Sequence, residues 1–412
     1  MFSRFSVALL IVFLAFLFSF QAHAQLISYE KYEQFTTEQL AEKWKKYGIP
    51  KMISPIKYDV DIYEIIYETQ WYEGKRVKAS GLYFVPKDLK EPMPFLIYNH
   101  GTSTRKERHL GFNGEETIAF MFSADGYGVG MTDYVGLGKG EGVHLYIHAE
   151  SEANASIDLM KAIDQVNKEL GYSRNDKLFI SGYSQGGHAA MATHKMLQEK
   201  YSDQYTVTAS SPMSGPYDVS KTQATVMFAE YSQPHYLPYL LIGYNAAYKV
   251  FPEEHFYEIF ADHLQDEIPT LFTSGLSHRE INGALPKVPM HMLQDELVEE
   301  FRSGKNERIQ FVLEDNDVYQ WKPEAPMQLC YCKGDEEVKW ENAIVAQRYM
   351  KEQGAKNITT RHVAKKMNHR QCADFAVIYT KYYFDTFLKG GQSGRKGKPF
   401  KRGLLGLAKM FR

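Results

Sequence analysis

Apolar positions follow two different periods along this chain, and the order in which those periods alternate predicts its architecture. A polar helical segment, Thr37 to Tyr47, comes first. Tyr58–Thr69 and Val77–Val85 then alternate apolar with polar residues on either side of a Glu73-Gly74 turn, the pattern of a hairpin. Beyond them strands and helices take turns. Phe95–Tyr98 is a short buried strand, Glu115–Ala124 suits a helix, and Tyr127–Asp133 suits a second strand. Glu152–Leu170 places Ile157, Met160, Ile163 and Val166 at helical spacing, and the strands Leu178–Ser181 and Val207–Ser211 follow. Such alternation predicts an α/β fold, its mostly parallel sheet covered by helices on both faces.

The alternation stops near Tyr217 and resumes after Tyr319. Between them the chain is rich in aromatics, Pro and Met, with helical stretches and no convincing strand. Met327–Lys333 then reads as a strand, Glu341–Gln353 as a helix, Ile358–Ala364 as the last strand and Cys372–Leu388 as the last helix. The expected organisation is therefore a core over 25–216 and 323–389, interrupted by a helical cap over 217–322. An insertion there would cover a site at the C-terminal ends of the strands.

Those strand ends carry the candidate chemistry. Residues 181–187 read Ser-Gly-Tyr-Ser-Gln-Gly-Gly, between the apolar run Leu178-Phe179-Ile180 and a stretch able to start a helix. Gly-x-Ser-x-Gly in a strand–turn–helix setting is a nucleophile elbow, which lifts Ser184 above the sheet with a helix N-terminus behind it. A serine nucleophile needs a base, and the base needs an orienting carboxylate; in this architecture they follow in the order Ser, acid, His. Asp335 ends a strand within Lys333-Gly334-Asp335; its neighbours Glu336 and Glu337 are alternatives that the preceding Gly334 disfavours. His369 stands between the last strand and the last helix, whereas its rival His362 falls inside the strand pattern. The oxyanion donors expected are the backbone N–H groups of Gln185 and Thr102, the latter following His100-Gly101.

Other signals carry less. Gly136-x-Gly138-x-Gly140-x-Gly142 lacks phosphate-loop spacing and reads as a flexible loop near the site. His144 and His148 are four apart, but Leu145 stands where a zinc-protease helix needs Glu, so no metal is expected. His188, one turn into the elbow helix, reads as structural, and His100 as a loop-shaping residue.

Charge and targeting features narrow the setting. Val7 to Phe20 is apolar, Arg4 precedes it, and Ala22-His23-Ala24 forms a small-x-small cleavage site, so residues 1–24 read as a signal peptide for a secreted or periplasmic protein. Removing Arg4 and the eight Lys/Arg from Lys389 onward takes the formal charge from −2 to −11 over residues 25–388. An acidic body argues against a nucleic-acid partner. Residues 390–412 form a basic, Gly-rich tail expected to be flexible, with Leu404, Leu405, Leu407 and Phe411 among cations as in a weak membrane-surface contact. Three cysteines are too few for a disulfide scaffold. In an oxidising compartment Cys372 is expected to bridge to Cys332 or Cys330, which flank the candidate acid; three buried thiols are the alternative.

Tyr98-Asn-His-Gly-Thr102, Gly126-Tyr-Gly-Val129, Asp133-Tyr-Val-Gly-Leu-Gly138, His144-Leu-Tyr-Ile-His-Ala149, the GYSQGG elbow, Ser214-Gly-Pro-Tyr-Asp218 and Gly334-Asp335 occur in that order. Together they resemble α/β-hydrolases of the secretory lipase type, related to fungal lipase A. The resemblance runs from about residue 57 to 388, tight in the core and loose in the cap. It implies the α/β-hydrolase fold and an esterase or lipase with a lid. The expected substrate is a small ester with an apolar acyl or aryl group, cleaved without metal or organic cofactor. The rivals are a peptidase acting on short peptides and a catalytically silent binding protein.

Overall fold

The computed structural model describes residues 26–107, 110–112 and 114–388. The signal-peptide and basic-tail expectations lie outside the described residues. In chain order the strands and helices are β1 Leu26–Phe35, α1 Thr37–Tyr47, β2 Val60–Gln70, β3 Arg76–Pro86, β4 Met93–Asn99, α2 Glu116–Ser123, β5 Gly128–Thr132 and α3 Ala149–Leu170. They continue with β6 Arg174–Tyr183, α4 Gln185–Lys200, β7 Val207–Met213, α5 Tyr236–Tyr248, α6 Glu267–Thr273, α7 His278–Ala284, α8 Asp295–Ser303 and α9 Glu307–Asp315. Last come β8 Met327–Cys332, α10 Glu341–Glu352, β9 Ile358–Ala364 and α11 His369–Leu388.

One nine-stranded sheet organises them in the order β1-β2-β3-β5-β4-β6-β7-β8-β9. The β1, β2, β3 edge is antiparallel, and every pairing from β5 through β4 to β9 is parallel. Register then places the site. Asn99 pairs with Gly182, Tyr183 with Met213, Met213 with Cys330, and Cys332 with Ala364. The parallel strands thus end along one edge, and the loops leaving it carry Thr102, Ser184, Asp335 and His369 together.

Two apolar layers hold the sheet. Ile157, Met160, Ile163 and Val166 of α3 are fully covered, joined on that face by Met191 and Leu197 of α4 and Met350 of α10. Opposite them, Leu40 and Trp44 of α1 pack with Phe120 and Phe122 of α2 and Phe384 of α11. Helices α5 to α9 lie between β7 and β8 and share a third cluster that includes Leu237, Phe256, Ile268, Met292 and Ile309.

The structure departs from the sequence pattern in several places. Strand β1 is an unexpected element: most of its residues are exposed or half-buried, so it has little of the alternation that marks a strand. Strand β6 starts four residues early because polar Arg174–Lys177 extend it past the apolar run. Helix α11 begins at His369 itself, not at Cys372. The Gly136–Gly142 stretch, expected to be flexible, is packed closely: Gly136 and Gly138 have φ of 82° and 57°, and a Cβ on either would run into His144 N or Asp133 Oδ2.

Candidate active site

Ser184 occupies a backbone conformation that L-residues seldom adopt, φ 60° and ψ −122°, between the last residue of β6 and the first of α4. Such strain costs on the order of 1–3 kcal/mol and persists only where the surroundings over-determine it. Here its N–H donates to Met213 O at 3.0 Å, and its carbonyl accepts from Gly187 N at 2.9 Å. Flanking glycines are obligatory: a Cβ on Gly182 would run into Gly186 O, and one on Gly186 into Asn99 O.

The structure brings the candidate base and acid together. His369 Nδ1 lies 2.9 Å from both Asp335 Oδ1 and Oδ2. Asp335 Oδ1 also accepts from the amides of Glu337 and Val338 at 3.0 and 2.9 Å, which fixes the carboxylate's orientation. His369 is buried; its N–H donates to Glu336 Oε2 at 2.9 Å, and its carbonyl accepts from Tyr183 OH at 2.5 Å. Burial alone would lower the imidazole pKa. The charge and hydrogen bond of Asp335, then the charges of Glu337 and Glu336, overcome it and hold the group above its ordinary value. His362, by contrast, is exposed on β9 with its ring stacked on Tyr331. Cys332 and Cys372 form a disulfide, and Cys330 is a buried free thiol.

The loop after β4, which carries Thr102, is pinned residue by residue. Asn99 Nδ2 donates to Ser181 O, His100 O accepts from Tyr134 OH at 2.8 Å, and His100 Nδ1 lies 2.6 Å from Gly101 O. Gly101 N–H donates to Glu115 Oε1 at 2.8 Å, and Thr102 Oγ1 to Tyr146 OH at 3.1 Å. Ser103 O accepts from Tyr239 OH of α5 at 2.8 Å. A Cβ at 101 would lie 2.7 Å from Glu115 Oε1 and 3.6 Å from Ser184 Cβ. The loop therefore stands directly beside the serine. Burial raises the Glu115 pKa to about 7, although Tyr98 OH donates to its other oxygen at 2.6 Å.

Gln185, the other candidate oxyanion donor, is held by its side chain. Its Nε2 donates to Glu152 Oε1 at 2.8 Å and lies 3.0 Å from His144 Nε2. His144 Nδ1 must donate to Val135 O at 3.0 Å, so its Nε2 is the acceptor toward Gln185. Burial keeps that ring neutral by pushing its pKa down to about 4. Glu152 Oε2 meets His188 Nδ1 at 2.7 Å, and His188 Nε2 lies 2.9 Å from Asn316 O. His148 Nδ1 caps α3 by accepting from Ser151 N. The paired histidines thus serve as hydrogen-bond partners, and among the described residues there is no group of three or more His, Cys, Asp or Glu arranged to hold a metal. Glu115, Glu152 and Tyr134 carry no sequence signal of these roles, because their partners are remote in the chain.

A cavity of about 270 Å³ opens onto Ser184 and Gln185 and runs into the inserted helices, where Leu237, Leu241, Met290 and Phe301 line it. Its wall is predominantly apolar, with Gln223 and Lys221 among the few polar groups. Of the aromatic run between Phe228 and Phe260, Tyr231, Tyr236, Tyr244 and Phe251 face the cavity, and Phe256 and Phe260 pack the interior of the inserted block.

The chain is similar to known proteins over most of its length. The model of the secretory lipase family matches residues 113–373. The rice cell wall degrading esterase LipA from Xanthomonas oryzae is 26% identical, covering 87% of this chain and 95% of its own, with a TM-score of 0.76. A provisionally named hydrolase from Legionella pneumophila is 28% identical, covering 88% of this chain and 98% of its own, with a TM-score of 0.80. Lipase A from Candida antarctica shares the fold at 14% identity, 90% and 84% coverage and a TM-score of 0.68. No curated protein matches. Fold and relatives together define an α/β-hydrolase acting on carboxylic esters. Since the family model covers more than half of its length, the chain belongs to the secretory lipase family.

Proposed function

We propose that this protein is an exported esterase of lipase type that works through Ser184, His369 and Asp335. Ser184 Oγ attacks the ester carbonyl while His369 Nε2 takes its proton, and the C–O bond to the alcohol breaks as His369 returns that proton to the leaving oxygen. Water, deprotonated by the same nitrogen, then releases the acid from the acyl-enzyme. Asp335 holds the imidazole by Nδ1 and stabilises the imidazolium; the amides of Gln185 and Thr102 stabilise the oxyanion. The observation that carries this reading is the buried His369–Asp335 pair at 2.9 Å on the same sheet edge as the strained Ser184.

The inserted block acts as a cap, and the cavity inside it receives the acyl chain. The cavity's mostly apolar wall suits acyl chains of at least medium length. A peptide or amino-acid derivative is the weaker reading, since the cavity wall offers little polar surface to a charged terminus. A panel of p-nitrophenyl esters of increasing acyl length, run beside p-nitroanilide peptides, tests this. Efficiency should climb to medium chains; confinement to acetyl esters, or faster cleavage of the anilides, would refute it.

Residues 1–24 direct export, and residues 390–412 add weak affinity for anionic surfaces. Co-sedimentation with anionic vesicles should fall when the chain is ended at Lys389. Equal binding by both forms removes the tail's role.

A further inference from the structure

Three consecutive carboxylates surround His369. Asp335 holds Nδ1, Glu336 accepts from the His369 amide, and Glu337 Oε2 lies 3.7 Å from Nε2. Nε2 is the nitrogen that would exchange a proton with Ser184, so Glu337 stands where its charge bears on the reacting side of the ring. Its side chain is only 13% exposed, and Coulomb interactions weaken little under such cover.

What holds Glu337 there is the inserted block. Gln233 Nε2 donates to its Oε1 at 3.0 Å and Tyr236 OH to its Oε2 at 3.0 Å. Its backbone carbonyl accepts from Tyr231 OH at 2.6 Å and Gln223 Nε2 at 2.9 Å. Four side chains between β7 and β8 thus converge on one residue of the loop after β8. We infer that Glu337 is a positioning residue: a second carboxylate that favours the His369 imidazolium and ties its protonation to the seating of the cap. This rests on His369 being the base.

The other groups facing His369 are accounted for. Tyr183 of β6 packs its ring on the imidazole with centroids 4.8 Å apart, and donates to the His369 carbonyl. Glu115, ahead of α2, is near enough to act electrostatically. Asp335 and Glu336 come from the same loop as Glu337, and Arg370 is the next residue of α11. Of the carboxylates, Glu337 is the one bonded to side chains of the inserted block at both oxygens, so its removal is separable from that of the acid.

A pure tether and a charged positioning residue differ in one readout. Glu337→Gln removes the charge and keeps one acceptor oxygen, for Tyr236 or for Gln233. The acid limb of the kcat/KM profile should move to lower pH by about 0.5–1 unit, because the imidazolium is no longer favoured. At the plateau kcat should fall about three- to tenfold with KM little changed. Tyr236→Phe, which loses the hydroxyl on Oε2, should give part of the same displacement. The proposal is overturned if Glu337→Gln keeps the wild-type acid limb while His369→Ala is inactive. An active His369→Ala would instead overturn the reading of the base itself, and this inference with it.

Discussion

Cys332 stands three residues before Asp335 and Cys372 three residues after His369, and the disulfide between them ties the two ends of the acid–base pair together. It closes a loop of 40 residues, which in a chain-entropy account stabilises the fold by ~4 kcal/mol. Its position makes it a clamp on the pair as well. The double variant Cys332→Ser, Cys372→Ser should lower the melting temperature by several degrees and kcat about tenfold or more, KM changing less. Thermal melts and steady-state kinetics, with and without a reductant on the parent protein, check both effects. Replacing buried Cys330 by Ala should leave kcat unchanged and lower the melting temperature only modestly, by the cavity it opens.

His369→Ala should lower kcat by about 10⁴-fold or more, and Asp335→Asn by somewhat less, since the base survives with its orientation impaired. His362→Ala should stay near wild type, because that ring is exposed on β9, stacked on Tyr331. Kinetics on the three folded variants decide it. Loss on replacing His362 alone would misplace the base.

Acid should destabilise the fold well before its carboxylates titrate. Burial lowers His144 to about 4, and His148, His194 and His235 to about 3, from an ordinary value of 6.5. Below pH 6.5 the unfolded chain binds protons that the folded chain refuses. Each group then removes up to about 1.4 kcal/mol of stability per pH unit until its folded pKa is reached. His369 and Glu115 have raised folded values and act in the opposite sense: their contribution is complete at low pH and lost as pH rises through those values. His278 is lowered too, and His255 and Asp317 are raised, but the four large downward shifts dominate and leave net proton uptake on unfolding, so denaturant midpoints should fall steadily from pH 6.5 to about 4. A flat or rising midpoint over that range would contradict this account.

Filling the cavity should change chain-length preference without touching the chemistry. Leu241 is buried in α5 and lines the cavity. Leu241→Trp should leave acetyl-ester turnover close to wild type and lower kcat/KM for a decanoyl ester about tenfold or more. Each methylene displaced from apolar surface is worth ~0.8 kcal/mol, or about fourfold. Equal losses on both esters would mean that the chain binds elsewhere.

Much of this was legible because it is local. The apolar run ending at Ser181, the paired glycines around Ser184 and the strand-end Gly334-Asp335 all carry their signal within a few residues. Parallel register then brings those ends to one edge. The parts that were not legible depend on distant partners. Glu115 reaches back to Gly101 and Tyr98, Glu152 joins Gln185 to His188, and Glu337 is gripped by Gln233 and Tyr236. Glu337 adjoins Asp335, and its spacing alone marked it only as a substitute acid. Strand β1 was missed for a different reason: as an edge strand, largely exposed, it has little apolar alternation to read.

The central claim is that Ser184 is the nucleophile, and covalent labelling tests it most directly. Intact-mass measurement after treatment with a fluorophosphonate should show one adduct, mapped to the peptide containing Ser184. Folded Ser184→Ala should take no label and hydrolyse medium-chain p-nitrophenyl esters several orders of magnitude more slowly. An adduct on another residue, or labelling and turnover that survive in the folded variant, would contradict the account.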